Sequence, residues 1–170
     1  MDTPEAIIEA IRAAFAGVPR GAITLHEAEV IDDYGSTEER QEARRLDSEA
    51  SWEEVPDEAL ESCTSALCHL DPKSWRYYIP AYMIWSLRHF RESESIVSDF
   101  TIYTFNPYLD DPGLREYVAP RFRLLDGPQS RAVCRYLRYM AANEDHADTR
   151  MANLALEGYW QRFCEAGHGP

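Results

Sequence analysis

The sequence predicts a mainly α protein: a single-domain bundle of six or seven helices, with room for one short β-hairpin or strand pair. Three observations lead to this prediction. The length of 170 residues fits one domain, residues 1–170. Apolar residues recur every three or four positions through most of the chain, which is the period of an amphipathic helix. A capping residue followed by proline, typical of a helix start, occurs before two of these segments.

The predicted elements follow from these signals in chain order. Thr3 and Pro4 begin the first helix, and Gly17 with Pro19 ends it. Ser36 or Thr37 with Glu39 predicts a capping box, and Asp71 with Pro72 begins a long helix. The helices are expected at residues 3–17, 25–35, 36–46, 57–68, 72–90, 124–140 and 148–164, and residues 166–170 are expected to be a frayed tail.

One segment reads as a strand. Residues 100–105, FTIYTF, alternate and are rich in β-branched and aromatic side chains. A single strand cannot form a sheet, so we expect it to pair with residues 22–25. The following residues, 106–113, are predicted to be a loop.

The stretch WRYYIPAYMIW, from Trp75 to Trp85, has two interpretations. Its aromatic residues follow a helical period, which favours a core helix that Pro80 bends. In this interpretation Arg76 and Tyr77 face outward or toward a carboxylate. The alternative is a small-molecule pocket beside the bend, lined by four residues: Arg76, Tyr77, Tyr78 and Tyr82.

Negative charge is concentrated in one part of the chain. The formal net charge is −13, of which residues 27–62 carry −11. Such a segment repels nucleic acid and anionic membranes and attracts basic proteins. It is either a solvated face or a partner-binding surface. In the second case the candidate partner-binding residues are Asp32, Asp33, Tyr34, Glu38, Glu39, Trp52, Glu53 and Glu54, with Tyr34 or Trp52 as the aromatic anchor. Trp52 has a further interpretation as a core residue.

No motif for catalysis, metal or nucleotide binding is present. The five histidines lack zinc-hydrolase spacing, and no glycine-rich loop follows a strand. The four cysteines form no C-x-x-C pair and are expected to be buried free thiols. An arginine series at 131, 135 and 138 is expected to pair with the protein's own carboxylates. We therefore expect a non-enzymatic, cytoplasmic protein with no cofactor and no metal.

Three segments carry a resemblance to a known family. They are W-x-x-V-P (Trp52 to Pro56), WRYYIPAYM (Trp75 to Met83) and RFRLLDGPQSRAVCRYLRYM (Arg121 to Met140). The chain resembles an uncharacterised family of small bacterial proteins, a domain of unknown function. The resemblance implies a helical domain and assigns no catalytic residue.

Together these observations favour an immunity or antitoxin-type protein that blocks the basic active site of a bacterial toxin with its acidic surface. The alternative is a small-molecule-binding or regulatory module that uses the aromatic helix. An enzyme of unknown class is the third hypothesis.

Overall fold

The structure is a computed structural model that describes residues 2–144 and 147–164. Within these ranges it contains ten α-helices and no β-strand, so the mainly α class is confirmed. Single 3₁₀-helical turns occur at Trp52–Glu54 and Gln161–Phe163, and a π-helical turn occurs at Leu156–Trp160. The helices are α1 (Pro4–Phe15), α2 (Leu25–Asp32), α3 (Thr37–Arg44), α4 (Asp57–Ser62), α5 (Ala66–His69), α6 (Pro72–His89), α7 (Val97–Tyr103), α8 (Pro112–Leu124), α9 (Gly127–Ala141) and α10 (Thr149–Ala155).

The predicted strand at residues 100–105 is wrong, because most of this segment lies in α7. Thr101 donates a hydrogen bond from Oγ1 to the carbonyl oxygen of Val97, one turn earlier, so its hydroxyl is satisfied within the helix. Thr101 and Ile102 are both buried, and α7 packs against α6. Packing on a neighbouring helix has therefore overridden the local β propensity.

The number of helices exceeds the six or seven predicted. The segment 57–68 is two short helices, α4 and α5, separated by a break that begins at Cys63. A further helix, α8, begins inside the residues predicted to be loop. Its start carries the same signal as α1 and α6: Asp111 accepts a hydrogen bond from the Leu114 amide, and Pro112 occupies the first turn.

Helix α6 is the centre of the core. Every residue from Tyr77 to Leu87 is buried, so the helix is covered on all sides rather than along one stripe. It packs against α1, α4, α7, α8 and the turn at Trp52–Glu54. Asp71 caps its first turn through the amides of Lys73 and Ser74. Pro80 lies within the helix, which runs continuously from Pro72 to His89.

Helices α1 and α9 form the adjoining layer. Four residues of α1 face the core, namely Ile7, Ile8, Ile11 and Phe15, as their spacing predicts. Gln129 at the start of α9 donates from Nε2 to the carbonyl oxygen of Ala14, at 3.1 Å. Helix α10 packs on α9 and against α7. One hydrophobic cluster extends through all these helices, from Ile7 to Trp160.

The cysteines do not all behave as predicted. Cys63 is a buried free thiol, whereas Cys68 is free but exposed. Cys134 and Cys164 are joined in a disulfide, with Cα atoms 5.6 Å apart. Nothing in their sequence spacing of 30 residues indicated this pairing, because it depends on where the C-terminal segment packs.

No helix among the described residues is both long and apolar enough to cross a membrane. The predicted frayed tail, residues 166–170, lies outside the described residues.

Candidate functional site

The candidate partner-binding surface centres on the turn between α2 and α3. Each helix begins with a capping box. Thr24 and Glu27 form the first, and Ser36 and Glu39 form the second. The two helices pack against each other, and α2 also packs on α5. The hairpin is therefore fixed to the protein through α2, and its turn, residues 33–36, projects into solvent.

Tyr34 is the outermost residue of this turn. Its side chain is 97% exposed and its backbone has a φ of 57°. The Gly35 amide donates to the Val30 carbonyl oxygen at 2.8 Å, which closes the end of α2. Gly35 is required by close approach, since a Cβ there would lie 2.3 Å from a Val30 methyl group. The residue in the left-handed conformation is Tyr34, however, and not Gly35. This conformation costs a non-glycine residue about 1 kcal/mol.

Tyr108 provides a comparison, because it is the other described non-glycine residue with a positive φ. Its side chain packs against the hydrophobic core. Tertiary packing therefore explains the backbone conformation of Tyr108. No core packing of this kind accounts for Tyr34.

The two arginines within this hairpin are paired with a carboxylate of α2 rather than with the acids of the turn. Arg40 and Arg44 both bind the Glu27 carboxylate, at 2.9 and 2.7 Å. Burial would raise the pKa of Glu27, but hydrogen bonds from Arg40, the Thr24 amide and Arg44 hold it below its ordinary value. Glu27 is therefore an ionised, buried carboxylate that fixes α3 to α2.

Several other carboxylates of the acidic segment also serve the fold. Glu29 accepts hydrogen bonds from the Ser65 hydroxyl and the Ala66 amide at the start of α5. Asp47 lies 2.7 Å from the His26 ring, and Glu49 lies 2.9 Å from Arg20. The net charge of this segment thus overstates the free negative charge at the surface.

The acidic residues at the turn remain exposed. Asp32, Asp33, Glu38 and Glu39 all lie at the ends of α2 and α3 that meet there. Asp32 is 2.9 Å from the His69 ring, and Glu39 accepts a hydrogen bond from the Ser36 amide. We call this set, with Tyr34, the acidic turn.

Trp52, Glu53 and Glu54 lie in a different local structure, a 3₁₀ turn that packs on α6. Trp52 is only 3% exposed and donates from Nε1 to the Phe15 carbonyl oxygen at 2.9 Å. It is therefore a core residue and cannot serve as the predicted aromatic anchor. Glu53 and Glu54 are exposed, and Glu53 lies 3.8 Å from Arg12.

Three of the four residues of the predicted pocket are buried in the core instead, namely Tyr77, Tyr78 and Tyr82. Tyr77, expected to face outward or toward a carboxylate, is only 2% exposed and lies under the Arg20 guanidinium, with 5.5 Å between the guanidinium carbon and the ring centre. Tyr78 and Tyr82 are fully buried, and their hydroxyls donate to Glu49 Oε1 and to the Cys63 carbonyl oxygen. Arg76 donates to Gln129 and lies 3.9 Å from Asp126, so the expectation that it faces a carboxylate is confirmed.

A cleft that the sequence did not indicate lies between α9 and the C-terminal helical segment. Its volume is about 810 Å³, and Arg135, Arg138 and Cys164 are among its lining residues. The pairing predicted for the arginine series holds at Arg135, which lies 2.6 Å from the Asp2 carboxylate. Elsewhere, a small cavity of about 70 Å³ lies beside Trp52 and Trp85. The described residues contain no group of three metal-ligating side chains.

The family model described as "Family of unknown function (DUF6714)" matches residues 3–164. The chain therefore belongs to this family. No curated protein and no solved structure matches the chain.

Proposed function

We propose that this member of the DUF6714 family is a non-enzymatic binding protein of the immunity or antitoxin type. Its acidic turn would bind a basic surface of a bacterial toxin and cover the toxin's active site. The observation that carries this proposal is Tyr34, a fully exposed aromatic residue in a strained backbone conformation at the tip of an acidic hairpin.

The left-handed conformation at residue 34 closes the end of α2, but the fold does not require a tyrosine to adopt it, which favours a functional interpretation of Tyr34. A glycine or asparagine would relieve the left-handed conformation at this position, and the tyrosine gains no burial in return. Tyrosine is enriched among the residues that dominate protein–protein interfaces, because its large ring loses little conformational entropy on binding. Tyr34 is thus suited to enter a pocket on a partner.

The charges around Tyr34 favour a basic partner. Four exposed carboxylates lie at the acidic turn, whereas Arg40 and Arg44 are bound to Glu27 below it. This separation leaves the negative potential at the tip uncancelled by the hairpin's own cations. Such a potential accelerates encounter with a positively charged protein and excludes polyanions. Active sites of toxins that cleave nucleic acid are basic for the same reason, since they bind phosphates.

Binding kinetics test the proposal. The first step is to sequence the gene beside this one, since a modular secreted protein encoded there would support the proposal. The toxin domain of such a protein is then immobilised and exposed to the purified chain at low and high salt. We expect association to slow steeply as salt rises. Tyr34→Ala should weaken binding about 30-fold, the effect of a typical interface anchor. Asp33→Lys combined with Glu38→Lys should slow association about tenfold and reduce its salt dependence.

Leu46→Ala is the matched control, because Leu46 is also exposed and lies beyond the far end of α3. It should bind like the wild type. The double variant with Glu53→Lys and Glu54→Lys tests whether the acidic residues of the 3₁₀ turn also contact the partner. Binding that lacks salt dependence and survives both the Tyr34 and the charge-reversal variants would contradict the proposal.

A further inference from the structure

The disulfide joins two distant parts of the chain across the seam between α9 and the C-terminal helical segment. Cys134 lies in the middle of α9, and Cys164 follows the last 3₁₀ turn. Their Cα atoms are 5.6 Å apart, the separation typical of natural disulfides. The bond closes a loop with a sequence separation of 30 and fixes the end of the segment to α9.

The two cysteine residues differ in burial. Cys134 is fully buried within the core. Cys164 is half-buried and forms part of the wall of the 810 Å³ cleft described above. A thiol reagent entering the cleft therefore meets Cys164, which lines it, and not Cys134, which does not.

The segment that the bond holds is irregular. Helix α10 has only seven residues and passes into a π-helical turn and then a 3₁₀ turn. Such turns lack the continuous hydrogen-bond ladder of an α-helix. Trp160 anchors the middle of the segment, since it is fully buried and donates from Nε1 to the Phe105 carbonyl oxygen at 2.9 Å. Beyond Trp160, the disulfide fixes the chain covalently.

We propose that the Cys134–Cys164 disulfide is a reversible redox latch: a dithiol that enters the cleft reduces the bond and so frees the end of the C-terminal helical segment from α9. This inference is independent of the function proposed for the acidic turn. Its basis is the juxtaposition of one buried and one accessible cysteine at the end of an irregular helical segment.

The exchange has two steps. A thiolate of the dithiol bonds to Cys164 Sγ, the Cys164–Cys134 bond breaks, and the Cys134 sulfur leaves with the electron pair and takes up a proton. The second thiol of the reagent then loses its proton and attacks the reagent's first sulfur, which is bonded to Cys164 in the mixed disulfide. This step releases Cys164 and closes a cyclic disulfide. The protein disulfide gains two electrons and two protons, and the dithiol loses them.

The residues around the disulfide favour both steps of the exchange. Arg138 lines the same cleft, and a cationic side chain favours an approaching thiolate, whereas the charge of Arg135 is paired with Asp2. Cys164 Sγ lies 4.0 Å from the Trp160 carbonyl oxygen, which can accept a weak hydrogen bond from the released thiol.

Thiol counting by intact mass tests whether the bond forms and whether the folded protein allows its reduction. The full chain, equilibrated with oxidised dithiothreitol, should take up two alkyl groups after denaturation, at Cys63 and Cys68. After treatment of the folded protein with reduced dithiothreitol it should take up four. Four labels before reduction, or reduction only once the chain is unfolded, would overturn the proposal.

Hydrogen exchange tests the mechanical consequence. Reduction should speed amide exchange in residues 149–164 about tenfold or more and leave α6 unchanged. Cys164→Ser should reproduce this faster exchange without reductant and show no further response to it. Cys68→Ser, which removes a free thiol, should respond to reductant as the wild type does. Unchanged exchange in residues 149–164 after reduction would show that the bond is not a latch.

Discussion

Arg44 Nη2 lies 2.7 Å from Glu27 Oε2, so the most acidic part of the chain contains an ion pair between a buried carboxylate and a half-exposed arginine. Arg40 binds the other oxygen of the same carboxylate. The hairpin that carries the acidic turn is therefore held together by a carboxylate and two arginines of its own sequence. The exposed acids of the acidic turn can point into solvent without weakening the attachment of α3, because the ion pairs of Glu27 hold α3 to α2.

Replacing Glu27 with glutamine should destabilise the protein by about 2 kcal/mol at pH 7, because two charged donors lose their ionised acceptor. The effect should depend on pH. The folded-state pKa of Glu27 is lowered, so its contribution is present above the ordinary pKa of glutamate. It is lost as pH falls through the folded pKa. Urea unfolding of both proteins between pH 7 and pH 3 measures this difference.

Glu38→Gln is the control for this prediction, since Glu38 is exposed at the start of α3. It should change the free energy of unfolding by less than about 0.5 kcal/mol. An equal effect of both substitutions, or a Glu27 effect that does not shrink at acid pH, would contradict the assignment.

Arg121 should be required as an arginine. It is 4% exposed, and no described carboxylate lies within 4.0 Å of it. Instead its Nη2 donates to the carbonyl oxygens of Cys68 and Leu70, at 2.9 and 3.0 Å, at the C-terminal end of α5. Burial lowers the pKa of Arg121, although nearby Tyr117 and Cys68 oppose this shift.

Arg121→Lys should therefore destabilise the protein by about 2 kcal/mol, because a strongly hydrated ammonium replaces a guanidinium in a buried site. Arg115→Lys, on the exposed part of the same helix, should cost less than about 0.5 kcal/mol. Chemical unfolding of the two variants checks the comparison, and equal stabilities would contradict the role given to Arg121.

Trp52 should behave as a core residue. Trp52→Ala should cost about 3–5 kcal/mol, as for other buried tryptophans. Trp52→Phe keeps most of the apolar contact and loses the hydrogen bond to Phe15, which should cost about 1 kcal/mol beyond the change in packing. Tyr34→Ala should leave stability within about 1 kcal/mol of the wild type or raise it. Thermal unfolding of the three variants measures this order.

The two free cysteines should react at different rates. Burial raises the pKa of the Cys63 thiol to about 12, and the side chain is almost inaccessible. Burial of the thiol also raises the pKa of Cys68, but the residue as a whole is exposed. At pH 8 a maleimide should label Cys68 first, and Cys63 only as the chain unfolds. Peptide mapping after timed labelling checks this, and Cys68→Ser should remove the fast phase.

Much of the local structure could be predicted from the sequence, because its causes are local. The caps at Thr3, Ser36 and Asp71 specify helix starts through hydrogen bonds within one turn. The apolar spacing of α1 specifies its buried face. The exposure of Asp33, Tyr34 and Glu38 was also accessible to sequence reasoning, since a polar turn between two short helices lies at the surface.

The choices between alternatives needed the tertiary structure. An isolated tryptophan in an acidic stretch is equally consistent with an anchor and a core residue until the position of Phe15 is known. The segment at 100–105 carries β propensity, and contact with α6 makes it helical. Tyr77 lies outside the apolar stripe of α6, yet it is buried because neighbours cover that helix on all sides.

The sequence by itself determined the helical class, most helix starts and the position of the acidic turn, because hydrogen bonds and periodicity within a few residues decide them. Only the tertiary structure decided which acids are free, since Glu27, Glu29 and Glu49 find partners that lie 13 to 37 residues away. It also joined Cys134 to Cys164 and opened the cleft beside them. Such pairings depend on how helices pack against one another, and a local pattern carries no record of that packing.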